Sequence, residues 1–374
     1  MIDRSLAASF CERRQSARRS SRLNEILHMR IGITYDLKSD SPPPTGMPDD
    51  FQEEFDSPAT IEAIASALRG MGHQVEKLGD GRELLQRLLA DPPDFVFNFA
   101  EGHGIGRSRE ARVPGVLEML DIPYTGSDPL TMAVTLDKEC AKKLVSASGV
   151  AVAQDVVVYP LDMLSAQYSV LRTLTFPVIV KPAWEGSSKG IRGKSVVDRV
   201  EGLLSVVDTM RRDYQQPILI EEYIAGDELT VGVVGNDPPE IIGIMRILPR
   251  EPNDRFVYGL DIKRDYKRLV TYECPAPLSA KHEAAVRDAT MKTWKALGCR
   301  DVSRIDFRLR DGIPYFLEVN PLPGLNPADS DLVILAKLAG WTYERLIGRI
   351  VQAAMERQST TAACGLALAA VSGR

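Results

Sequence analysis

Asp306, Glu318 and Asn320 are the residues of this chain whose types and spacing best combine into chemistry. Val302–Leu309 and Ile313–Asn320 flank Arg310-Asp311-Gly312, and Asp-Gly between two alternating apolar runs predicts a β-hairpin. Glu318 and Asn320 are two residues apart and share a strand face, with Asp306 on the opposing strand. Oxygen ligands converging on one face suit a hard cation such as Mg²⁺. A hairpin with acids facing water is the bland alternative. Against it, Glu318 follows Tyr315-Phe316-Leu317 in an apolar strand, and Arg304 shares the face of Asp306. Asn320–Pro327 is then a proline-rich loop in which the N–H of Gly324 can approach a ligand. The cluster points to nucleotide-driven chemistry.

Other segments carry matching chemistry. Phe176–Pro182 reads as a buried strand ending in Lys181, followed by Glu185-Gly186-Ser187-Ser188-Lys189-Gly190. A lysine at a strand end reaches a phosphate as a point charge, and a Gly/Ser loop offers backbone N–H groups at low steric cost. A surface turn with a solvated lysine fits the same string. Neither a GxxxxGK[ST] loop nor a GxGxxG turn is present, so the two commonest nucleotide folds are not supported. Lys138 opens a helix just upstream, either converging on the same phosphates or solvated. Ile218–Ile224 runs apolar into Glu221-Glu222, and an adenine slot needs such an apolar wall with a nearby carboxylate for ribose. An edge strand ending in a charged turn fits equally.

The elements that must position these residues are legible. Arg30–Tyr35, Gln74–Lys77 and Phe95–Phe99 are strands separated by helices, the first capped by Ser57 with Pro58 in its first turn. This βαβαβ pattern implies a parallel sheet. Helices follow at Val113–Leu120 and Leu136–Ser146, strands at Val152–Tyr159 and Phe176–Lys181, and a helix at Asp198–Arg212. Further strands fall at Ile218–Ile224, Leu229–Val234 and Glu240–Ile247. A helix from Ser279 to Leu297 precedes the hairpin, and helices at Leu332–Leu338 and Tyr343–Met355 follow it.

The chain has 374 residues, 44% hydrophobic and 26% charged, enough for two or three domains. A net charge of −5 argues against nucleic acid or an anionic membrane as the main partner. Cys11, Cys140, Cys274, Cys299 and Cys364 are scattered without a CxxC pair, which suits free thiols in a reducing, cytoplasmic compartment. Residues 1–29 hold Arg4, Arg13, Arg14, Arg18, Arg19 and Arg22 among serines and alanines. They read as a disordered basic arm, dispensable for folding; a transit peptide is the alternative. The divisions expected are an N-terminal α/β domain over 30–125, a central subdomain over 126–216, a C-terminal subdomain over 217–357 and a flexible tail over 358–374.

The order of Lys138, Lys181, Glu185-Gly186-Ser187-Ser188, Glu221-Glu222-Tyr223-Ile224, Glu228, Arg304-x-Asp306, Glu318-x-Asn320 and Pro323-Gly324 resembles the ATP-grasp superfamily. It is most similar to the D-alanine–D-alanine ligases, over about Arg30 to Met355. The resemblance implies an α/β ATP-grasp fold, with an N-terminal parallel-sheet domain and two α+β subdomains clamping ATP. It implies that Lys138 and Lys181 hold the phosphates, assisted by Lys263 or Arg264, and that the loop of Glu185, Gly186, Ser187 and Ser188 closes over the γ-phosphate. It places Glu221, Glu222, Tyr223 and Ile224 at adenine and Glu228 at ribose. Asp306, Glu318 and Asn320 would hold two Mg²⁺, with Mn²⁺ as a substitute, and Arg304 with the Gly324 N–H would stabilise an oxyanion. The activity implied is an ADP-forming carboxylate–amine ligation through an acyl phosphate, by a homodimer acting on amino-acid-like substrates.

The substrate half departs from the family. In place of its GGxSxE start stands Thr34-Tyr35-Asp36-Leu37-Lys38, leaving Asp36 to hold a substrate ammonium. In place of its HG motif stands Glu101-Gly102-His103-Gly104, followed by Arg107, Arg109, Glu110 and Arg112, a charged loop suited to a substrate carboxylate. Where the family has MTxHS this chain has Leu325–Asp331, and Ser330 matches that serine only across a one-residue gap. The nucleotide half is kept and the substrate half is rewritten. Three functions follow in order: a ligase of diverged substrate, a D-alanine–D-alanine ligase of peptidoglycan synthesis, and an ATP-binding regulator without ligation. Arg304 and Gly324 argue against the last, because an oxyanion site has no use in a sensor.

Overall fold

The computed structural model describes residues 28–372 except Asp40, Pro44, Leu161, 163–170 and Arg172. Residues 1–27 of the expected basic arm lie outside the described residues. The N-terminal domain follows the predicted pattern. Strands β1 (Arg30–Tyr35), β2 (Gln74–Gly79) and β3 (Phe95–Phe99) form a parallel sheet of order β2-β1-β3. Helix α1 (Pro58–Gly70) starts where Ser57 accepts the Thr60 N–H, a cap that stabilises by about 1 kcal/mol. Its Ile61, Ile64 and Leu68 are buried in the same core as Ile31 and Phe97. Helices α2 (Gly81–Ala90) and α3 (Arg112–Met119) complete the domain.

The next stretch differs from expectation. The helix predicted around Leu136–Ser146 is α5 (Lys138–Ala147), and an unexpected helix, α4 (Pro129–Leu136), precedes it; Asp137 separates the two and caps α5 by accepting the Cys140 N–H. The strand predicted at Val152–Tyr159 is two. β4 (Ala151–Val152) pairs with the ligand hairpin, whereas β5 (Asp155–Val158) enters a separate antiparallel sheet with β6 (Val178–Pro182) and β7 (Val196–Val197). Helix α6 (Val200–Tyr214) covers that sheet with Leu203, Val207 and Met210, and β8 (Ile218–Glu222) lies between β5 and β6. The boundary expected at 216/217 is therefore corrected: β8 belongs to the central sheet. Apolar alternation places a residue on a face but does not say which sheet its strand joins.

The third sheet has six strands, ordered β11-β10-β9-β12-β13-β4. These are β9 (Asp227–Val234), β10 (Glu240–Pro249), β11 (Val270–Glu273), β12 (Val302–Arg310) and β13 (Ile313–Asn320), with β4 at the edge. Two short helices missed in the sequence, α7 (Leu260–Arg264) and α8 (Tyr266–Leu269), precede β11; they are too brief to show a period. Asp311 and Gly312 have φ of 54° and 77°, the left-handed pair that a two-residue hairpin needs. Helix α9 (Ala280–Leu297) and α5 cover one face of the sheet around Phe307 and Phe316. Helices α10 (Asp331–Leu338) and α11 (Tyr343–Ser372) cover the other. α11 runs from Tyr343 to Ser372, so the helix expected to end at Met355 continues through most of the expected tail. One anchor is Arg357, whose guanidinium lies 2.8 Å from buried Asp301.

Candidate active site

The three sheets meet at a cleft of about 430 Å³, joined to a smaller slot of about 80 Å³. The register of β12 against β13 sets Asp306 opposite Glu318 and Arg304 opposite Asn320, with a bulge after Asp306. All four are thereby held on rigid strands. Arg304 Nη2 lies 2.9 Å from Asp306 and 3.5 Å from Glu318, and its Nη1 3.4 Å from Asp331. Thr230 on the neighbouring strand donates to Asp306 at 2.9 Å. Burial opposes ionisation of both acids. Glu318 is nonetheless held at about 2 by Lys138, Lys263 and Arg304, whereas burial and the Glu318 charge outweigh Arg304 and push Asp306 up to about 6. Two carboxylates and an amide within one largely buried wall, one acid still short of positive charge, form an oxygen donor set that fits a hard divalent cation.

The lysines converge on this wall. Lys138 lies 3.8 Å from Glu318 and donates to the Glu185 carbonyl, and burial lowers its pKa. Lys181, at the end of β6, lies 2.5 Å from Glu221. Glu221 is shared with Lys142 at 2.6 Å, and the two lysines outweigh burial to hold it at about 2. Lys142, one turn beyond Lys138 on α5, went unremarked in the sequence although the i,i+4 spacing was there to read. Lys263 lines both cleft and slot and sits 5.2 Å from the Tyr258 ring, whereas Arg264 is tied to Asp49 and Glu53 at 2.8 Å. Both line the cleft, but the Arg264 guanidinium is paired with acids there, whereas Lys263 also reaches the slot.

The slot is lined by Ile179, Glu221, Glu222, Tyr223, Ile224 and Glu228. Glu222 pairs with Arg310 at 2.7 Å and the Tyr223 hydroxyl donates to the Phe256 carbonyl. Arg308 was missed. It bridges Glu228 at 2.6 Å and the Gly226 carbonyl at 2.9 Å, and lies 5.6 Å from the Tyr223 ring. Two residues beyond Asp306 on an alternating strand, its position was legible, though its partners were not.

Ser187 and Ser188 have φ of 50° and 59°, an uncommon backbone for two successive serines and a mark of a loop held by its surroundings. Acids of the N-terminal domain hold it. Glu54 accepts the Gly186 N–H at 2.6 Å and Asp50 accepts the Gly190 N–H at 2.9 Å. Glu185, expected at ATP, directs its carboxylate to Lys189 at 2.5 Å and Gln216 at 2.7 Å, so it braces the loop, with its carbonyl left for Lys138. Gly324 sits against Ser330, whose Oγ would lie 2.8 Å from any added Cβ and accepts the Asn326 N–H at 2.8 Å.

Comparison with known proteins agrees with this geometry. Residues 144–352 match the family described as D-ala D-ala ligase C-terminus. The D-alanine–D-alanine ligase of Aquifex aeolicus is 32% identical over 295 residues, 78% of this chain and 93% of that protein. The chain belongs to the D-alanine–D-alanine ligase family. An uncharacterized Sinorhizobium fredii protein, y4sG, is 33% identical over 79% of this chain and 87% of its own length. The crystal structure of the Bacillus anthracis D-alanine–D-alanine ligase superposes with a TM-score of 0.69 at 25% identity, covering 89% of this chain and 99% of that one. The VanG D-Ala:D-Ser ligase of Enterococcus faecalis shares the fold, with a TM-score of 0.64 at 21% identity. The ATP-grasp fold and the ligase class expected from the motifs are thus established. Among the described residues no helix is long and apolar enough to cross a membrane.

The N-terminal wall departs from the family-based expectation. Asp36 is buried, accepts the Gly102 N–H at 2.9 Å and lies 2.9 Å from His103 Nε2. Neither lines the cleft, so the expected ammonium and substrate contacts of Asp36 and His103 are not made there. Arg109 is 1% exposed and bound to Glu54 at 2.7 Å, Arg107 pairs with Asp137, and Arg112 donates to the His103 carbonyl. None of the arginines of this charged loop lines the cleft. These cations are taken up by the scaffold. Glu101 and Ser330 line the cleft.

Proposed function

We propose that this protein is an ATP-dependent, ADP-forming ligase that joins two amino-acid-like substrates through an acyl phosphate. One observation carries the reading: Lys138, Lys181, Lys263 and Arg304 surround the Asp306/Glu318/Asn320 wall at the mouth of an apolar slot. ATP is drawn with adenine in the slot, near Glu221 and Ile224, and its phosphates toward the lysines. Glu228 reaches the ribose once shared with Arg308. Asp306, Glu318 and Asn320 would hold Mg²⁺, which would supply Lewis-acid neutralisation of the phosphate oxygens.

A substrate carboxylate oxygen attacks the γ-phosphorus and the bond to the β-phosphate oxygen breaks, giving an acyl phosphate and ADP. Lys138 and Lys181 offset the charge that builds on the phosphoryl oxygens. The neutral amine of the second substrate then attacks the acyl carbon. Arg304 and the Gly324 N–H stabilise the resulting oxyanion, which collapses to an amide as phosphate leaves and the amine proton passes to solvent. The loop of Ser187 and Ser188 keeps water from the acyl phosphate.

The test is ATP turnover with Mg²⁺ and pools of D- and L-amino acids, with products identified by mass spectrometry. Phosphate release should require a suitable pair and yield an amide of matching mass. Release independent of amino acids, or none with any pool, would sink the reading.

A further inference from the structure

The carboxylates of the cleft divide into two groups. Glu318 and Asp331 face Arg304, Glu54 faces Arg109, Glu53 faces Arg264 and Glu185 faces Lys189. Glu101 and Glu110 also line the cleft, yet among the described residues neither makes a side-chain hydrogen bond or ion pair. Glu110 is only 7% exposed, and among the described residues its carboxyl accepts no protein hydrogen bond; Arg109 and Lys138 act on it from beyond ion-pair distance. Burial pushes Glu110 up to about 8, with Arg109 and Lys138 only partly offsetting it, and pushes Glu101 well above the usual carboxylate range, with Glu110 and Glu54 adding to the shift. Asp56, pushed up to about 7 mainly by burial, lines the same wall, though Lys38 tempers it.

Buried acids without partners are normally neutralised or matched by a ligand. A metal ion is a poor match here. Among the described residues neither Glu101 nor Glu110 belongs to a group of three His, Cys, Asp or Glu side chains close enough to share an ion. Acids spread along a wall suit an extended organic cation instead.

We infer that one substrate of this enzyme carries a positively charged side chain, an ammonium or guanidinium, seated against Glu110 and Glu101. The inference rests on the ligase reading above for the identity of the cleft. It reassigns the loop after β3 from expected carboxylate receptor to cation receptor, because Arg107, Arg109 and Arg112 are engaged elsewhere.

Isothermal titration in the presence of Mg²⁺ and a non-hydrolysable ATP analogue tests it, using ornithine, lysine and arginine against alanine and glutamate in both configurations. A basic amino acid should bind at least about tenfold more tightly than alanine, and Glu110→Gln should weaken it about tenfold or more, with a smaller loss in Glu101→Gln. Titration of the nucleotide analogue alone confirms that each variant is folded. Equal affinity for alanine or glutamate, an unchanged affinity in both variants, or no binding of any basic amino acid would overturn the inference. Product analysis on the same samples with ATP separates the two readings. Glu110-dependent binding of a basic amino acid without any amide product leaves the inference standing and removes the ligase reading. Amides formed only from neutral amino acids do the reverse.

Discussion

The two walls of the cleft use charge in opposite ways. On the strand wall every acid has a cation: Glu318 has Lys138 and Arg304, Asp306 has Arg304, and Glu221 has two lysines. On the N-terminal wall Glu101 and Glu110 are in no ion pair among the described residues, while Arg109 is turned inward to brace a loop. A wall of matched charges is built to handle phosphates and metal whatever the substrate. A wall of unmatched charge leaves its counter-charge to the ligand. The contrast separates the class of reaction, which family membership gives, from the choice of substrate, which falls to the N-terminal wall.

The comparison can be broken from the strand side first. Glu318→Ala removes an oxygen donor and should lower turnover by about 10²–10⁴-fold in phosphate-release assays; near-normal turnover would remove this wall from the chemistry. Arg304→Met should cost about 10²–10³ in kcat through the lost oxyanion contact. It also strands Asp306, and breaking a buried ion pair in this way costs about 3–5 kcal/mol of stability, visible as a lower Tm. An unchanged kcat would show that Arg304 only braces the acids. Lys181→Met should raise KM for ATP about ten- to hundredfold with a smaller effect on kcat, and an unchanged KM would place the phosphates elsewhere.

Smaller effects sharpen the N-terminal wall. Glu54→Gln should loosen the Gly186 loop, seen as faster amide exchange there and a severalfold rise in ADP formed per amide; tight coupling in the variant would separate the loop from water exclusion. The smallest effect is on pH. Because the folded state binds the Glu110 proton more tightly than the unfolded state does, stability attributable to this group falls as pH rises from about 4.5 to about 8 and is level above. Glu101, Glu54, Arg109, Lys138 and Glu185 face the same group, so the readout is a difference: the wild-type Tm should drop more than that of Glu110→Gln over this window. Parallel Tm profiles would show that Glu110 is ionised throughout.

Local chemistry made the strand wall legible. The Asp-Gly turn fixed the hairpin register, and alternation then placed Arg304, Asp306, Glu318 and Asn320 on one face. The N-terminal domain was readable for the same reason, through Ser57-Pro58 and the periodicity of α1. What the sequence withheld was long-range. Glu54 meets Gly186 across 132 positions and Asp50 meets Gly190 across 140, and neither acid stands in a motif. Arg109 was visible as a charge but not as a buried one, and that alone reversed its expected role. The split between β4 and β5 was hidden because both strands are short and apolar, and only their partners distinguish them.

The acids at 49–54 have a consequence for modularity. The glycine-serine loop belongs to the central subdomain, but its latch is encoded more than a hundred residues upstream, in the domain that also shapes the substrate wall. A chimera joining this ATP-using half to an N-terminal domain lacking Asp50 and Glu54 would inherit the metal wall and its lysines without the latch. Such a hybrid should leak ATP to water. Recombination within this family can therefore exchange substrate walls freely only if it carries the latch along with them.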